Sequence, residues 1–223
     1  MLNDLLNRAR GFATTSLVCY ANSDIILLQE LLDAVHAVQL RFPRFLAVAH
    51  RQNVDVDHLL DLGPGRDLEP RNRIIPAGFP GDHTSIDVFV FSRDTYSQVP
   101  PLAIGRAWFD QWLIKEAHRL GVPVVALTPV AWAIHQNHAY AHIAGGYRTT
   151  VAGEEANRNL AIYGGKPHAY TLLDVTHELR IGGGLHRVRF RRKRFAVRQW
   201  IWKNFVLKTA PLRAKLGLRR SGT

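Results

Sequence analysis

Short apolar runs alternate with segments of helical periodicity along the first two thirds of the chain. Apolar runs bounded by turn-forming residues predict buried strands at 17–21, 45–49, 87–91 and 122–127. Between these runs, apolar residues recur at helical spacing over 25–38 and again over 104–120, where the pattern stops at Gly121. Strands that alternate with helices predict an α/β layer structure.

The polar and glycine-rich segments predict how the chain is divided. Residues 53–81 are rich in Asp, Gly, Pro and Arg and are typical of a long surface connection. Three consecutive glycines at 182–184 are typical of a hinge. We therefore expect an α/β domain over residues 1–181 and a basic amphipathic tail over residues 182–223.

The positive charge of the chain is concentrated at its C-terminal end. The net charge is +11, but residues 187–223 hold 13 of the 29 Lys and Arg residues and no Asp or Glu. The preceding residues carry 16 basic against 18 acidic side chains, so a basic groove across the α/β domain is not expected. Aromatic residues interleave with the basic ones in the tail, namely Trp200, Trp202 and Phe205.

A basic helix with aromatic residues is typical of a segment that lies on an anionic membrane surface. Nucleic acid is a less favoured partner, because no recognised nucleic-acid-binding motif accompanies the basic residues. The alternative is a tail helix that packs its Trp200, Ile201 and Phe205 stripe against the domain. The sequence has no apolar run of 18 residues and no cleavable signal, so we expect a cytoplasmic protein, peripheral at the membrane.

The single cysteine bears on the same expectation. Cys19 cannot form an internal disulfide, and its apolar neighbours predict a buried, unreactive thiol, which fits a reducing compartment.

Histidines are crowded between residues 133 and 142, directly after an apolar run. His135 and His138 are three residues apart, and His138 and His142 are four apart, so a helix would present all three on one side. Neutral imidazole is a common metal ligand and proton carrier. The pattern indicates a metal or polar catalytic site, and the alternative is a set of satisfied polar side chains on a loop.

Two aspartates lie where chemistry is expected. Asp24 follows the predicted strand 17–21, with Asn22 two residues earlier, and carboxylate oxygens there can hold Mg²⁺ or Mn²⁺ against a diphosphate. A helix cap is the alternative role for Asp24.

Asp110 lies between Trp108 and Trp112, and the aromatic side chains suit a sugar ring and raise the pKa of a carboxyl group toward that of a general base. The alternative is that both tryptophans only anchor the helix to the sheet. Arg106 could pair with a phosphate or with Asp110.

Four of these segments together resemble glycosyltransferases of the GT-A, nucleotide-diphospho-sugar transferase fold. The resemblance covers residues 2–180 and is carried by residues 20–27, 86–91, 104–113 and 133–138, with Tyr140 and His142. It implies a partial GT-A-like, Rossmann-like mixed sheet with flanking helices, followed by the basic helical tail. It also implies transfer of a sugar from a nucleotide-diphosphate sugar to a hydroxyl acceptor, either a glycan or a lipid-linked molecule.

The resemblance also implies roles for single residues. Asn22-Ser23-Asp24 is similar to the metal-binding D-x-D motif, with asparagine in place of the first acid. Asp110 matches the acid that deprotonates the acceptor, and His135 or His138 matches a histidine that completes the shell of Mn²⁺ or Mg²⁺. Arg106 would assist catalysis, and Trp108, with Asn22 and Asp24, would contact the donor.

The chain departs from the GT-A pattern at its start. Only 21 residues precede Asn22, where a GT-A domain has its nucleotide-binding half. We therefore expect an incomplete or inactive fragment, or a donor-binding half supplied from elsewhere. Two other functions are consistent with the residues: a non-catalytic membrane-peripheral or interaction protein, and a metal-dependent hydrolase that uses the histidines.

Overall fold

The computed structural model of the chain describes residues 1–63, 66, 69–138, 146–165, 168–189, 193 and 195–197. The chain divides into two compact units, Met1–Val188 and Arg189–Thr223. In the second unit, residues 195–197 are helical. None of the helices within the described ranges is long and apolar enough to cross a membrane.

A mixed sheet forms the centre of the first unit, and the described residues contribute nine strands to it. They are β1 Leu17–Ala21, β2 Ile25–Ile26, β3 Leu46–Val54, β4 Phe79–Pro80, β5 Ile86–Ser92, β6 Val124–Ala126, β7 Ala133–Gln136, β8 His177–Leu179 and β9 Leu185–Arg187. The main path has the order β1-β5-β3-β6-β8-β9, and β2, β4 and β7 branch from it. The α/β fold class with a mixed sheet and flanking helices is confirmed.

Strand β3 joins the two parts of the sheet, because its first half and its second half pair with different strands. Its first half pairs with β5 on one side and with β6 on the other. A register shift follows at Ala49 and His50, and the second half then pairs with β7 and β4. Such irregularities bend a strand and redirect its side chains. As a result, the second half of β3 leaves the main sheet, and Arg51 in that half borders the cleft described below.

Helices cover both faces of this sheet. They are α1 Leu2–Phe12, α2 Gln29–Arg41, α3 Ile75–Ala77, α4 Phe109–Arg119, α5 Gly146–Ala152 and α6 Glu154–Tyr163. A π-helical turn, Pro70–Ile74, precedes α3, and a 3₁₀ turn, Leu172–Asp174, precedes β8.

Side chains alternate along β5, so the strand contributes to two separate hydrophobic cores, one on each face of the sheet. Phe89 and Phe91 pack with α1, α4 and the end of α6, whereas Val88 and Val90 pack with α2. Successive strand residues point to opposite faces, so a strand buried on both faces is a continuous apolar run. All seven residues of β5 are buried, which explains why its sequence is so strongly apolar.

The predicted strands at 17–21, 45–49, 87–91 and 122–127 are confirmed, although β3 extends much further than its apolar run. The predicted helix over 25–38 is wrong at its start, because Ile25 and Ile26 form β2, which pairs with β7, and α2 begins only at Gln29.

Three further expectations are corrected. The predicted helix over 104–120 begins only at Phe109, because Gly105 and Trp108 have positive φ angles of 70° and 80°, which a right-handed helix excludes. The segment 53–81 contains a π-helical turn, a short helix and β4 in addition to loop. The glycines at 182–184 form the turn of a β8–β9 hairpin, in which Gly183 donates its N–H to the carbonyl of Arg180 (2.9 Å).

Cys19 is exposed, which contradicts the predicted buried thiol. It lies on β1, the strand at the edge of the main sheet, between the buried Val18 and Tyr20. Its side chain therefore points to the opposite face from theirs, at a position where the edge of the sheet is not covered.

Candidate functional site

A cleft of about 900 Å³ opens where β1 ends and the segment before α4 begins. Its wall is formed by Tyr20–Asp24, Arg51, Asp87, Ile104–Ala107, Phe109, Asp110, His135, His138, Thr150 and Val151. Most of the polar residues predicted from the sequence therefore meet in one place, although they come from distant parts of the chain.

Strand pairing brings the metal-ligand candidates together. Ile25 of β2 pairs with His135 of β7, which places Asp24 beside the histidine strand. Oδ2 of Asp24 lies 3.3 Å from Nε2 of His135 and 2.9 Å from Nε2 of His138. One ligand atom from each of the three residues lies within 4.8 Å of the other two. This group, Asp24, His135 and His138, is called the ligand group below.

The helix that would present the histidines on one side is not formed over the residues that the structure describes. His135 lies in strand β7 and His138 follows that strand, because β7 is paired with β2 and with β3. The two rings still meet, with centroids 5.3 Å apart. Tyr140 and His142, which also belong to the predicted cluster, lie outside the described residues.

The ligand group fits a divalent cation. Oδ1 of Asp24 and Nδ1 of His135 are buried and have no hydrogen-bond partner among the described residues. Burial, followed by the charge of Arg51, lowers the pKa of His135, which favours the neutral imidazole that binds metals. Two nitrogens and one carboxylate oxygen suit Mn²⁺, Fe²⁺ or Zn²⁺ better than Mg²⁺, which prefers oxygen ligands. Of the two expected ions, the group therefore favours Mn²⁺.

Asn22 holds the turn that carries Asp24. Its amide nitrogen donates to Oδ1 of Asp87 (2.7 Å), and its amide oxygen accepts from the hydroxyl of Tyr20 (3.0 Å). Its backbone N–H donates to the backbone carbonyl of Asp87 (3.1 Å). Both ends of the Asn22 side chain are therefore engaged with protein groups, and its place in the structure is that of a support for the turn.

Sequence reasoning missed Arg51 and Asp87. Asp87 is only 7% exposed, and burial raises its pKa although Arg51 lies close by. Nη1 of Arg51 is 3.4 Å from Oδ2 of Asp87. A single acid within the apolar run Ile86–Phe91 is the signal that could have identified Asp87, because an acid is rarely buried without a partner. No local pattern marks Arg51.

Asp110 lies in the first turn of α4 and faces the cleft. Its Oδ1 is buried without a hydrogen-bond partner among the described residues, and its Oδ2 accepts from the side chain of Gln111 (3.1 Å). Burial is the main cause that raises its pKa to about 7. Burial, and then the charges of Asp110, Asp87 and Asp24, also raise the pKa of Tyr20 above its ordinary value.

Trp108 and Arg106 are held by other parts of the molecule. The ring of Trp108 packs against Tyr163 with centroids 5.2 Å apart, and it does not line the cleft. Trp112 is buried in the core, so the two tryptophans anchor α4, as the alternative interpretation had it. Arg106 lines the cleft, but its Nε donates to Oε2 of Glu155 (2.9 Å) and it does not pair with Asp110.

No protein-family model matches this chain, and no curated protein or solved structure is significantly similar to it. The chemistry of the cleft is therefore the evidence that bears on function, because one fold hosts many activities.

Proposed function

We propose that this chain carries the metal-dependent centre of a glycosyltransferase, which transfers a sugar from a nucleotide-diphosphate donor to a hydroxyl acceptor. In this proposal its sheet corresponds to the C-terminal portion of a GT-A fold. The observation that carries the proposal is that the ligand group and Asp110, an acid with a pKa near 7, border one cleft.

The ligand group would hold Mn²⁺. When bound, the cation supplies a Lewis acid for the leaving diphosphate. Asp24 contributes the charged ligand, and its carboxylate is fixed because Asn22 ties the turn to Asp87. Supporting contacts of this kind orient a ligand and tune its affinity for the metal.

Asp110 would accept the proton of the acceptor hydroxyl. A base works best when its pKa is close to the working pH, because it is then partly ionised and still basic enough to take a proton. The pKa of about 7 meets this condition. Asp110 lines the cleft, so its carboxyl group would take the proton from a hydroxyl bound there.

The ligand group also favours a second function, that of a mononuclear metal hydrolase. Two histidines and one carboxylate, with a further position left for water, are typical of catalytic zinc sites. Metal analysis after dialysis separates the two functions. Stoichiometric zinc would favour the hydrolase, whereas a loosely held Mn²⁺ would favour the transferase.

The test is calorimetric titration of the purified chain with UDP-sugars and GDP-sugars, with and without Mn²⁺. We expect binding that requires Mn²⁺ and that weakens at least about 10-fold in Asp24→Asn, since even outer-shell changes cost that much. His36→Gln is the matched control, because His36 is exposed on α2 and lies outside the cleft.

Absence of donor binding in a folded, Mn²⁺-loaded sample would contradict the transferase proposal. It would favour the non-catalytic membrane-peripheral or interaction protein.

A further inference from the structure

The guanidinium of Arg51 is largely enclosed by the protein but has few hydrogen-bond partners. Its side chain is 23% exposed, and its one charged contact among the described residues is Asp87, at 3.4 Å. Its Nε is buried and has no hydrogen-bond partner within those residues. An enclosed guanidinium normally uses its five N–H donors, because unpaired donors away from water are costly. The contacts of the described residues therefore leave the guanidinium incompletely satisfied, and its exposed part lines the cleft.

Strand register places these donors beside the ligand group. In the parallel pairing of β3 with β7, Arg51 is opposite Ala133 and Asn53 is opposite His135. Residues two apart on a strand share a face, so the side chains of Arg51 and His135 project from the same side of the sheet. Both line the cleft. An anion with several oxygens could therefore contact the guanidinium and the ligand group together.

We propose that Arg51 is the phosphate-binding residue of the cleft and contacts the diphosphate of the donor. This inference rests on the proposed function for the identity of the donor, but the recognition of a diphosphate can be measured without any transfer reaction. The planar guanidinium matches the spacing of phosphate oxygens and can bind two of them at once.

Asp87 prepares Arg51 for this role. It is buried beneath the cleft, and it receives a hydrogen bond from Asn22 in addition to its contact with Arg51. One carboxylate thus orients the guanidinium and also ties it to the turn that carries Asp24. Fixing the side chain before the ligand arrives lowers the entropy lost on binding.

Arg106, the other arginine that lines the cleft, is less suited to a ligand. Its Nε already donates to Glu155 and its Nη1 to the backbone carbonyl of Gly105, at 2.9 and 3.1 Å. A phosphate would have to compete with these acceptors. The contacts therefore favour Arg51, which no local sequence pattern marks, over Arg106, which the sequence identifies as a candidate.

The experiment is calorimetric titration of the full chain with inorganic pyrophosphate, after a separate titration with Mn²⁺ alone. We expect Arg51→Gln to weaken pyrophosphate binding by about 10- to 100-fold, the range for losing a charged hydrogen-bond donor, and to leave Mn²⁺ binding unchanged. Arg51→Lys should lose less, since it keeps the charge without the planar fork. Arg73→Gln is the control, because it removes the same charge from a side chain that is 79% exposed.

Two outcomes would overturn the inference: pyrophosphate affinity that is equal in Arg51→Gln and the parent chain, or no pyrophosphate binding by the folded parent chain. Arg51→Gln leaves the buried Asp87 without its cationic partner, which destabilises the fold. If the single variant does not fold, the double variant Arg51→Gln, Asp87→Asn takes its place, because it has no unpaired acid there. The same loss in that variant, with Mn²⁺ binding unchanged, supports the inference.

Further titrations distinguish the failure of this inference from the failure of the proposed function. Pyrophosphate binding that depends on Arg51 but not on Mn²⁺ would support the inference and contradict the metal-dependent function. Titrations with UDP, GDP and geranyl diphosphate identify the source of the diphosphate. A tighter nucleoside diphosphate supports a nucleotide donor, and a tighter geranyl diphosphate supports a lipid-linked one. With each of these diphosphates, Arg51→Gln must again weaken binding.

Discussion

Asp110 connects the chemistry of the cleft to the stability of the protein. The pKa of Asp110 is about 7 in the folded chain, mainly because of burial. In the unfolded chain, where the group is not buried, its pKa has the ordinary value of 3.8. Between these two values the folded state binds a proton that the unfolded state has released. Stability must therefore fall as the pH rises from about 4 to about 7, since the unfolded state there binds fewer protons.

This linkage gives the first prediction. We expect the free energy of unfolding contributed by Asp110 to fall by up to about 4 kcal/mol across that range, and Asp110→Asn to remove this part of the pH dependence. Denaturant unfolding of both proteins at several pH values between 4 and 8 measures the difference. Parallel stability curves for the two proteins would show that the carboxyl group is ordinary.

At the same scale, the sequence identified some site residues and missed others for a physical reason. Asp24 is identified because it follows a recognisable strand, and Asp110 because it lies between two tryptophans. Arg51 and Asp87 lie inside strands, and their importance comes from contacts across the sheet. Such contacts leave no local signature at Arg51, and at Asp87 the one local sign is an acid within an apolar run.

At the scale of elements, α6 supports the loop that leads to Asp110. Asn159 is fully buried, and its amide accepts from the N–H of Ala103 (2.8 Å) and donates to the carbonyls of Ala103 (2.9 Å) and Ala107 (3.0 Å). The loop ends at Trp108, whose positive φ angle is unfavourable for a residue with a large side chain. The contacts of Asn159 help to hold this conformation.

The second prediction concerns this helix. Asn159→Ala should lower the free energy of unfolding by about 2–4 kcal/mol, because it leaves buried backbone groups of the loop without partners. Asn157→Ala on the same helix is the matched control and should change it by less than about 0.5 kcal/mol, since Asn157 is exposed and makes one weak contact of 3.4 Å. Equal effects of the two substitutions in chemical denaturation would contradict the role given to Asn159.

The histidine strand shows where element prediction fails. The spacing of His135 and His138 places both side chains on one face of a helix, but the segment is too short for periodicity to decide. Pairing of β7 with β2 on one side and with β3 on the other decides in favour of the strand.

At the scale of the whole molecule, the excess of basic side chains belongs to the second unit. Residues 189–223 contain 12 of the basic side chains, and their removal leaves 17 basic against 18 acidic residues. The sheet and its helices lie within Met1–Val188. The first unit should therefore fold without the second.

The third prediction follows from this division. We expect the full chain to co-sediment with vesicles that contain anionic lipid, and residues 1–188 alone to stay in solution, because each basic residue near such a surface contributes about 1 kcal/mol. High salt should release the full chain, since it screens the attraction. Vesicles of neutral lipid are the control, and equal sedimentation of both chains would contradict the role of the tail.

The sequence by itself determined the α/β class, the positions of the main strands, the basic tail and the candidate ligands Asp24, His135 and His138. Hydrophobic periodicity and turn residues are local, so they can be read from neighbouring positions. Only the tertiary structure decided that these three residues meet, that Asn22 supports the turn, and that Arg51 faces the same cleft. Those contacts depend on the pairing of β2 and β3 with β7, which joins distant parts of the chain and is specified by the packed sheet as a whole.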